Sequence, residues 1–296
     1  MTVQVTAGLD GSRESFAAAV WAAREAVRRE VPLHLIHVEE RTVTPPIPYA
    51  IAAYDAERSA GLLRDVAEQV RRDHPGLEVT TEHARGRAGP LLVSAADESD
   101  LMVLGSHGLG GFKGFLVGSV SLAVVGRSHH PVVLVRADGV DASGAGAAPG
   151  QGVGEILVGA DLRHPNAPVL AFAFLEAARR GATVRVVHGW TLPGPSLYAI
   201  VADPGFGETV GGQIAHALAE LVGPLRRSYP DVPVIEEAVV GAAGVQLVEA
   251  SKGAELVVVG RRRRPAPLGP HLGHVAHAVI HHCAASVAVV PFGQAP

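Results

Sequence analysis

An α/β fold built twice is what this sequence predicts: two units in tandem, each a five-stranded parallel sheet flanked by helices. Three observations predict it. Short apolar runs suited to buried strands alternate with helical patterns in both halves. The halves also repeat each other. Asp10 and His37 recur as Asp161 and His188, 151 positions on, whereas Gly105 and Gly118 recur as Gly260 and Gly273, 155 positions on. Such a steady alignment indicates duplication, with a small insertion in the second half accounting for the change of four. Finally, the apolar run Leu101-Met102-Val103-Leu104 leads straight into a glycine-rich stretch, Gly105-Ser106-His107-Gly108.

The elements follow in order. Residues 3–10 read as a buried strand ending in an acid. Ser12 is placed to cap a helix in which Phe16, Val20, Ala23 and Val27 recur at helical spacing, and Pro32 stops it. A second strand occupies 33–38. The Pro-rich stretch Thr44-Pro45-Pro46-Ile47-Pro48 then breaks regular structure, and a long helix runs to about His74, ended by Pro75-Gly76. A short strand near 77–81, a helix near 90–98 and the strand at 101–104 lead to the glycine stretch. A helix from Gly118 and a strand at 132–135 close the unit. Residues 138–153 are rich in Gly, Ala, Ser and Asp and read as a flexible linker, so domain boundaries of 1–137 and 154–296 are expected.

Composition excludes several classes. A formal net charge of -4, with Arg261–Arg264 the only dense basic run, argues against nucleic acid as a partner. Cys283 is the only cysteine, so an intrachain disulfide is impossible and a reducing compartment is expected. The start MTVQVTAGLDGS lacks a basic region followed by an apolar one, and no apolar run reaches membrane-spanning length. A cytoplasmic protein without a membrane partner is the expectation.

Ligands in doubly wound sheets bind beyond the carboxyl ends of the strands, where the strand order reverses. Asp10, Val38 and Gly105 all stand at such ends, and converge if the first and fourth strands flank the reversal. The glycines read Gly105-x2-Gly108-x9-Gly118-Ser119. Glycine can adopt positive φ and lets backbone N–H groups approach an anion, while the helix N-terminus beginning at Gly118 adds partial positive charge. Ser119 and Ser121 offer hydroxyls in that first turn. Asp10 suits either adenine recognition or helix capping. His107 and Lys113 could each reach phosphate or stand in solvent. The sequence has no Gly-x4-Gly-Lys-Ser/Thr, and Lys113 stands where a dinucleotide fingerprint needs glycine.

On these residues the first half resembles the universal stress protein family: the opening Gly-Leu-Asp-Gly-Ser, the strand ending His37-Val38, and above all GSHGLGGFKGFLVGSVS. The second half resembles it through VVVGRRRR and HHCAASVAVVP. The resemblance implies two tandem Rossmann-like domains of the adenine nucleotide alpha hydrolase type. It also implies ATP, with or without magnesium, as the ligand of the first. Asp10 and the backbone around Val38 would then face the adenine side, with Gly8 and Leu9 also among the cofactor-binding residues. Leu104 and Gly105 would face the ribose and first phosphate. His107, Gly108, Gly118, Ser119, Val120 and Ser121 would line the phosphates.

The second half departs from that pattern. Arg263 replaces the second glycine, His274 replaces the serine, and Leu162-Arg163 replaces the Gly-Ser after the acid. Weak or absent ATP binding is expected there, the alternative being that Arg261–Arg263 grip phosphate themselves. His274, His277 and His281 share a helical face, but no supporting carboxylate or thiolate pattern accompanies them and no metal is expected. The function expected is that of an ATP-dependent regulatory protein acting on an unidentified protein partner. It is expected not to be an enzyme, since no catalytic residue can be assigned. Slow ATP hydrolysis and a purely structural module are the alternatives. The resemblance further implies edge-to-edge pairing of 132–135 with 287–290 into a pseudo-dimer within one chain, with a homodimer of such chains a further option.

Overall fold

The structure is a computed structural model that describes residues 3–40, 49–106, 117–137, 154–164, 166–191, 205–263 and 272–293. These residues fall into two compact units. The first runs β1 (Val5–Leu9), α1 (Arg13–Arg29), β2 (Leu33–Glu39), α2 (Tyr49–Asp73), β3 (Val79–Arg85), α3 (Ala88–Asp97), β4 (Leu101–Gly105), α4 (Ser119–Arg127) and β5 (Val132–Val135). The second runs β6 (Glu155–Gly159), α5 (Ala167–Arg180), β7 (Thr183–Trp190), α6 (Gly205–Ser228), β8 (Val234–Val240), α7 (Ala243–Ala250), β9 (Leu256–Arg262), α8 (His274–His282) and β10 (Ser286–Phe292).

Every strand pair within a unit is parallel. The order is β3-β2-β1-β4-β5 in the first unit and β8-β7-β6-β9-β10 in the second. The chain winds outward from β1 to β3, then returns to the other side of β1 to lay down β4. The reversal therefore falls between β1 and β4, and between β6 and β9 in the repeat. Register fixes the repeat residue by residue. Val5 opposes Leu33 and Leu101, and Ile156 opposes Val184 and Leu256. Leu33 opposes Val79 while Val184 opposes Val234, so the four extra residues of the second unit lie between β7 and β8.

Burial explains the apolar runs. Val5 and Ala7 on β1, Leu101, Met102 and Val103 on β4, and Val133 and Leu134 on β5 are fully buried, each large side chain contributing about 1.5–3 kcal/mol. Helix α1 corrects the expected face. Ala23 of the expected set is buried, but Phe16 and Val27 are 44% and 47% exposed, and the buried residues are chiefly alanines, Ala17, Ala18, Ala22 and Ala26 among them, with Trp21 the one large apolar side chain. A helix lying close on β1 and β4 leaves room mostly for methyl groups. The same face carries Glu25, fully buried and paired with Arg28 and Arg29. The second unit repeats this as Glu176 with Arg179 and Arg180. Strand β3 begins later than expected and continues through Glu82, His83 and Arg85. It is an edge strand whose outer residues meet solvent, so no apolar pattern marks it. Among the described residues, no helix is long and apolar enough to cross a membrane.

Candidate functional site

The carboxyl end of β1 delivers Leu9 and Asp10 into a tight turn. Gly11 takes φ +83°, a conformation that suits only glycine without strain. Asp10 Oδ1 accepts from the Ser12 N–H at 2.9 Å and from the Ser12 hydroxyl at 2.5 Å. Ser12 is the N-cap, its Oγ accepting from the Ser15 N–H at 3.1 Å. Asp10 therefore organises the turn while Ser12 caps the helix, and the exposed carboxylate remains at the mouth of the crevice.

Gly105 ends β4 and is the hinge of the site. Its glycine identity has a packing cause. A Cβ there would stand 2.6 Å from the Glu14 carbonyl carbon and 2.8 Å from the Ser15 nitrogen, both in the first turn of α1. Its φ is not positive, contrary to the sequence expectation. On its other side its carbonyl accepts from the Ser121 hydroxyl at 3.2 Å, in the first turn of α4. Ser121 is buried, and in this structure its hydroxyl joins α4 to the end of β4. The N-termini of α1 and α4 consequently meet at one glycine, and both present partial positive charge where the strand order reverses.

Gly118 is different. It is the N-cap of α4 at φ −62° and ψ 150°, a conformation open to any residue, and an added Cβ would meet no described atom within 4 Å. Its counterpart Gly273 caps α8 in the same way, at φ −62° and ψ 154°, so among the described residues neither backbone nor packing accounts for glycine at either position. Ser119 beside it is exposed and Val120 half-buried. Gly8, Leu104 and Val38 complete the walls. Gly8 leaves room for Leu104, whose Cδ2 a Cβ would approach to 2.6 Å, and Val38 is half-buried on β2 opposite Ala84. His107, Gly108 and Lys113 lie outside the described residues.

Sequence reasoning aligned His37 with His188 without giving either a role. The His37 Nδ1 lies 2.7 Å from the Leu9 carbonyl and the His188 Nδ1 lies 2.9 Å from the Ala160 carbonyl. A carbonyl only accepts, so Nδ1 carries the proton in both, and each imidazole ties the second strand of its unit to the end of the first. Their recurrence at one fixed offset was the signal.

The second unit builds its reversal point otherwise. Helix α5 starts at Ala167, the counterpart of Phe16, so it begins nearly one turn later than α1. Two side chains stand in this region. Asn166, 4% exposed, donates its Nδ2–H to the Gly159 carbonyl at 3.0 Å. Phe292 lies against Gly260, where a Cβ would stand 2.7 Å from its ring. The first unit has Ser15 and Ala137 at these positions. Strand β9 also runs on past Gly260: Arg261 and Arg262 pair with Pro291 and Phe292, where β4 stops at Gly105. The Arg263 N–H donates to the Phe292 carbonyl at 2.8 Å and its guanidinium to the Gly293 carbonyl at 2.7 Å. The Arg262 guanidinium sits 5.8 Å above the Phe292 ring. Asp161 accepts from the Arg163 and His164 N–H groups. His274 is exposed at the start of α8, and the His277 and His281 rings lie 4.4 Å apart along it. Among the described residues, no three His, Cys, Asp or Glu side chains gather as a metal site.

This doubled fold has relatives. The family model described as the universal stress protein family matches residues 1–136 and, a second time, residues 153–291. The chain belongs to the universal stress protein family. A universal stress protein of Mycobacterium tuberculosis (strain H37Rv) is 36% identical over 295 residues, spanning 97% of this chain and 95% of its own length. A second universal stress protein of that organism is 30% identical over 282 residues, spanning 93% and 92%. Among solved structures, a universal stress protein from Archaeoglobus fulgidus superposes with a TM-score of 0.72 at 18% identity, over 98% of each chain. That last likeness is one of fold.

Proposed function

We propose that this member of the family is an ATP-binding regulatory protein holding one nucleotide per chain, in the first unit's crevice between β1 and β4. The observation that carries the reading is the reversal point at Gly105, where the N-termini of α1 and α4 meet and where the first unit has Ser15 and Ala137 in place of the Asn166 and Phe292 side chains of the second. A phosphate approaching the α4 N–H groups would use that space, and a methyl at Gly118 would stand in the anion's way. Asp10 and the Val38 backbone would bound the adenine, Gly8, Leu9, Leu104 and Gly105 the ribose side, and Ser119 with Val120 the phosphates. His107 and Gly108 belong to the same motif by sequence. Ser121 acts through Gly105, which it fixes.

Regulation rather than turnover is the activity proposed. ATP would order the chain around the crevice and so alter the surface a protein partner meets, which requires tighter ATP binding to one conformation than to the other. The buried lone Cys283 suits a reducing cytoplasm. Native mass spectrometry of the whole chain tests the reading. A mass increment of a single nucleotide, retained on purification or restored by added ATP, is expected. A clean apo mass unchanged by ATP, ADP and AMP would overturn it in favour of a purely structural module. Sustained hydrolysis that disappears with Gly118→Ala would point to an ATPase instead.

A further inference from the structure

Strand β8 is the outer strand of the second unit, as β3 is of the first, and no described strand lies beyond it. Two hydrogen bonds fix which of its backbone groups face outward. The Val184 N–H donates to the Pro233 carbonyl at 2.9 Å, and the Gly241 N–H donates to the Trp190 carbonyl at 2.7 Å. With the parallel register of β7 and β8, the odd-numbered residues from 233 to 241 therefore bond β7. The N–H and carbonyl groups of Val234, Glu236, Ala238 and Val240 point away from it. Among the described residues, side chains serve only the two end carbonyls: Arg226 donates to that of Val234 and Gln246 to that of Val240, each at 3.3 Å.

The side chains are the reverse of what a solitary edge needs. Edge strands stay unpaired when polar or charged side chains discourage a neighbour. β3 exposes Thr80, Thr81, Glu82 and Arg85. At the positions of Thr80 and Arg85, β8 has Ile235 and Val240, 42% and 65% exposed. Its two carboxylates are paired within the chain, Glu236 with Arg226 and Glu237 with Arg185. The strand is also symmetric in character. Outward from Glu237 its residues match as Glu236 and Ala238, Ile235 and Val239, Val234 and Val240. The same positions of β3 match as Thr81 and His83, Thr80 and Ala84, Val79 and Arg85, with no such apolar symmetry.

We propose that β8 is a dimerisation edge, pairing antiparallel with β8 of a second copy of this chain about a twofold axis at Glu237. A twofold contact needs a patch complementary to itself, and the apolar symmetry of this strand supplies one. In that register Glu236 and Ala238 exchange hydrogen bonds across the axis through groups that already face outward. Ile235 lies against Val239 and Val234 against Val240, twice each, so both exposed side chains are covered. Neighbouring registers do worse. An axis at Glu236 leaves Val240 without a counterpart in the strand, and one at Ala238 sets Ile235 against Gly241. The register has one cost: Glu237 meets its own image, with an Arg185 beside each copy. The inference is independent of the nucleotide reading, and its test contains no nucleotide.

The test is sedimentation velocity of the full chain over a concentration series. The parent should pass from monomer to dimer as concentration rises. Ala238→Pro removes an outward N–H at an edge position that tolerates proline, and should abolish the dimer. Val240→Arg installs the residue that β3 carries and should weaken dimerisation roughly tenfold, since an apolar pair is lost on both sides of the axis. Unchanged melting temperatures separate lost pairing from lost folding, and Val240→Arg decides if Ala238→Pro melts low. Glu237→Gln should strengthen the dimer roughly threefold by removing the facing charges. Glu237→Cys reads the register. Residues facing each other in such a pair stand about 4.5 Å apart at Cα, within disulfide range, so oxidation with diamide should yield a covalent dimer while the buried Cys283 stays unreacted. A monomer at every concentration, a dimer untouched by Ala238→Pro or Val240→Arg, or no crosslink from Glu237→Cys would overturn the proposal.

Discussion

Two glycines of the crevice should respond to the same methyl group in opposite ways. At Gly105 the added carbon would stand 2.6 Å from one backbone atom of Glu14 and 2.8 Å from another. Comfortable carbon contacts are about 3.5–4.0 Å, so α1 must retreat from β4 by roughly 1 Å. The obstacle is a helix backbone rather than the end of a flexible side chain. Overpacking of this kind costs about 1–3 kcal/mol, and a domain of this size loses about 2–4 °C per kcal/mol. Gly105→Ala should therefore lower the first unit's melting transition by roughly 2–12 °C. At Gly118 the carbon meets no described atom within 4 Å, and the loss at the helix cap is under about 1 kcal/mol. Yet the methyl would stand where an anion must approach the α4 N–H groups. Charged hydrogen bonds contribute about 1.5–3 kcal/mol each, so losing one weakens ATP roughly 10- to 150-fold. Calorimetric unfolding and ATP titration of both variants read the two effects separately. A Gly118→Ala chain that binds ATP within about twofold of the parent, or that melts as low as Gly105→Ala, refutes the division of labour.

Further outcomes follow from the same geometry. Ser12→Ala removes the bond from the Ser15 N–H that caps α1 and should cost about 1 kcal/mol in chemical denaturation, with weaker ATP binding because Asp10 also loses its hydrogen bond from the Ser12 hydroxyl. Arg180→Ala leaves the fully buried Glu176 with one fewer guanidinium and should destabilise the second unit by about 3 kcal/mol, whereas Arg72→Ala on an exposed pair should stay within about 0.5 kcal/mol. Phe292→Ala with Asn166→Ser gives the second reversal point the side chains of the first. A rise above one nucleotide per chain in native mass spectrometry is expected, and an unchanged stoichiometry would show that Arg263 and His274 suffice to exclude ATP.

Much of the fold was legible because it rests on signals local to each strand. Buried parallel strands are continuous apolar runs, and the fixed offsets of Asp10, His37 and Gly105 located each run's counterpart. The Ser12 cap was legible for the same reason. What escaped depends on distances between elements. The buried face of α1 is set by how closely it lies on β1 and β4, which selects alanines and leaves Phe16 and Val27 outside. β3 escaped because an edge strand needs no apolar alternation. At the site, the motif placed Gly105 correctly and misjudged why: glycine there answers to Glu14 and Ser15, ninety residues earlier in the chain, rather than to a positive φ. The bond from the Ser121 hydroxyl to the Gly105 carbonyl carried no sequence signal, because that carbonyl comes from another element. Asn166 and Phe292 carried no sequence signal, since an ordinary asparagine and phenylalanine become informative only beside Gly159 and Gly260.

The two units therefore differ by more than the motif residues. In the second, the helix start has withdrawn, β9 and β10 have lengthened, and Arg262 and Arg263 hold Phe292 and Gly293 in place. Each change contributes contacts where a ligand would otherwise supply them. A crevice closed by its own side chains needs no anion to satisfy its N-terminal helix charge and gains apolar burial instead. The first unit has Ser15 and Ala137 in place of those side chains, and at Glu30 it keeps a carboxylate where a glycine would relieve the backbone. Natural folds tolerate such losses chiefly at sites that bind something. On that logic the expected stoichiometry is one nucleotide per chain, and the Phe292→Ala, Asn166→Ser chain is the variant that tests why.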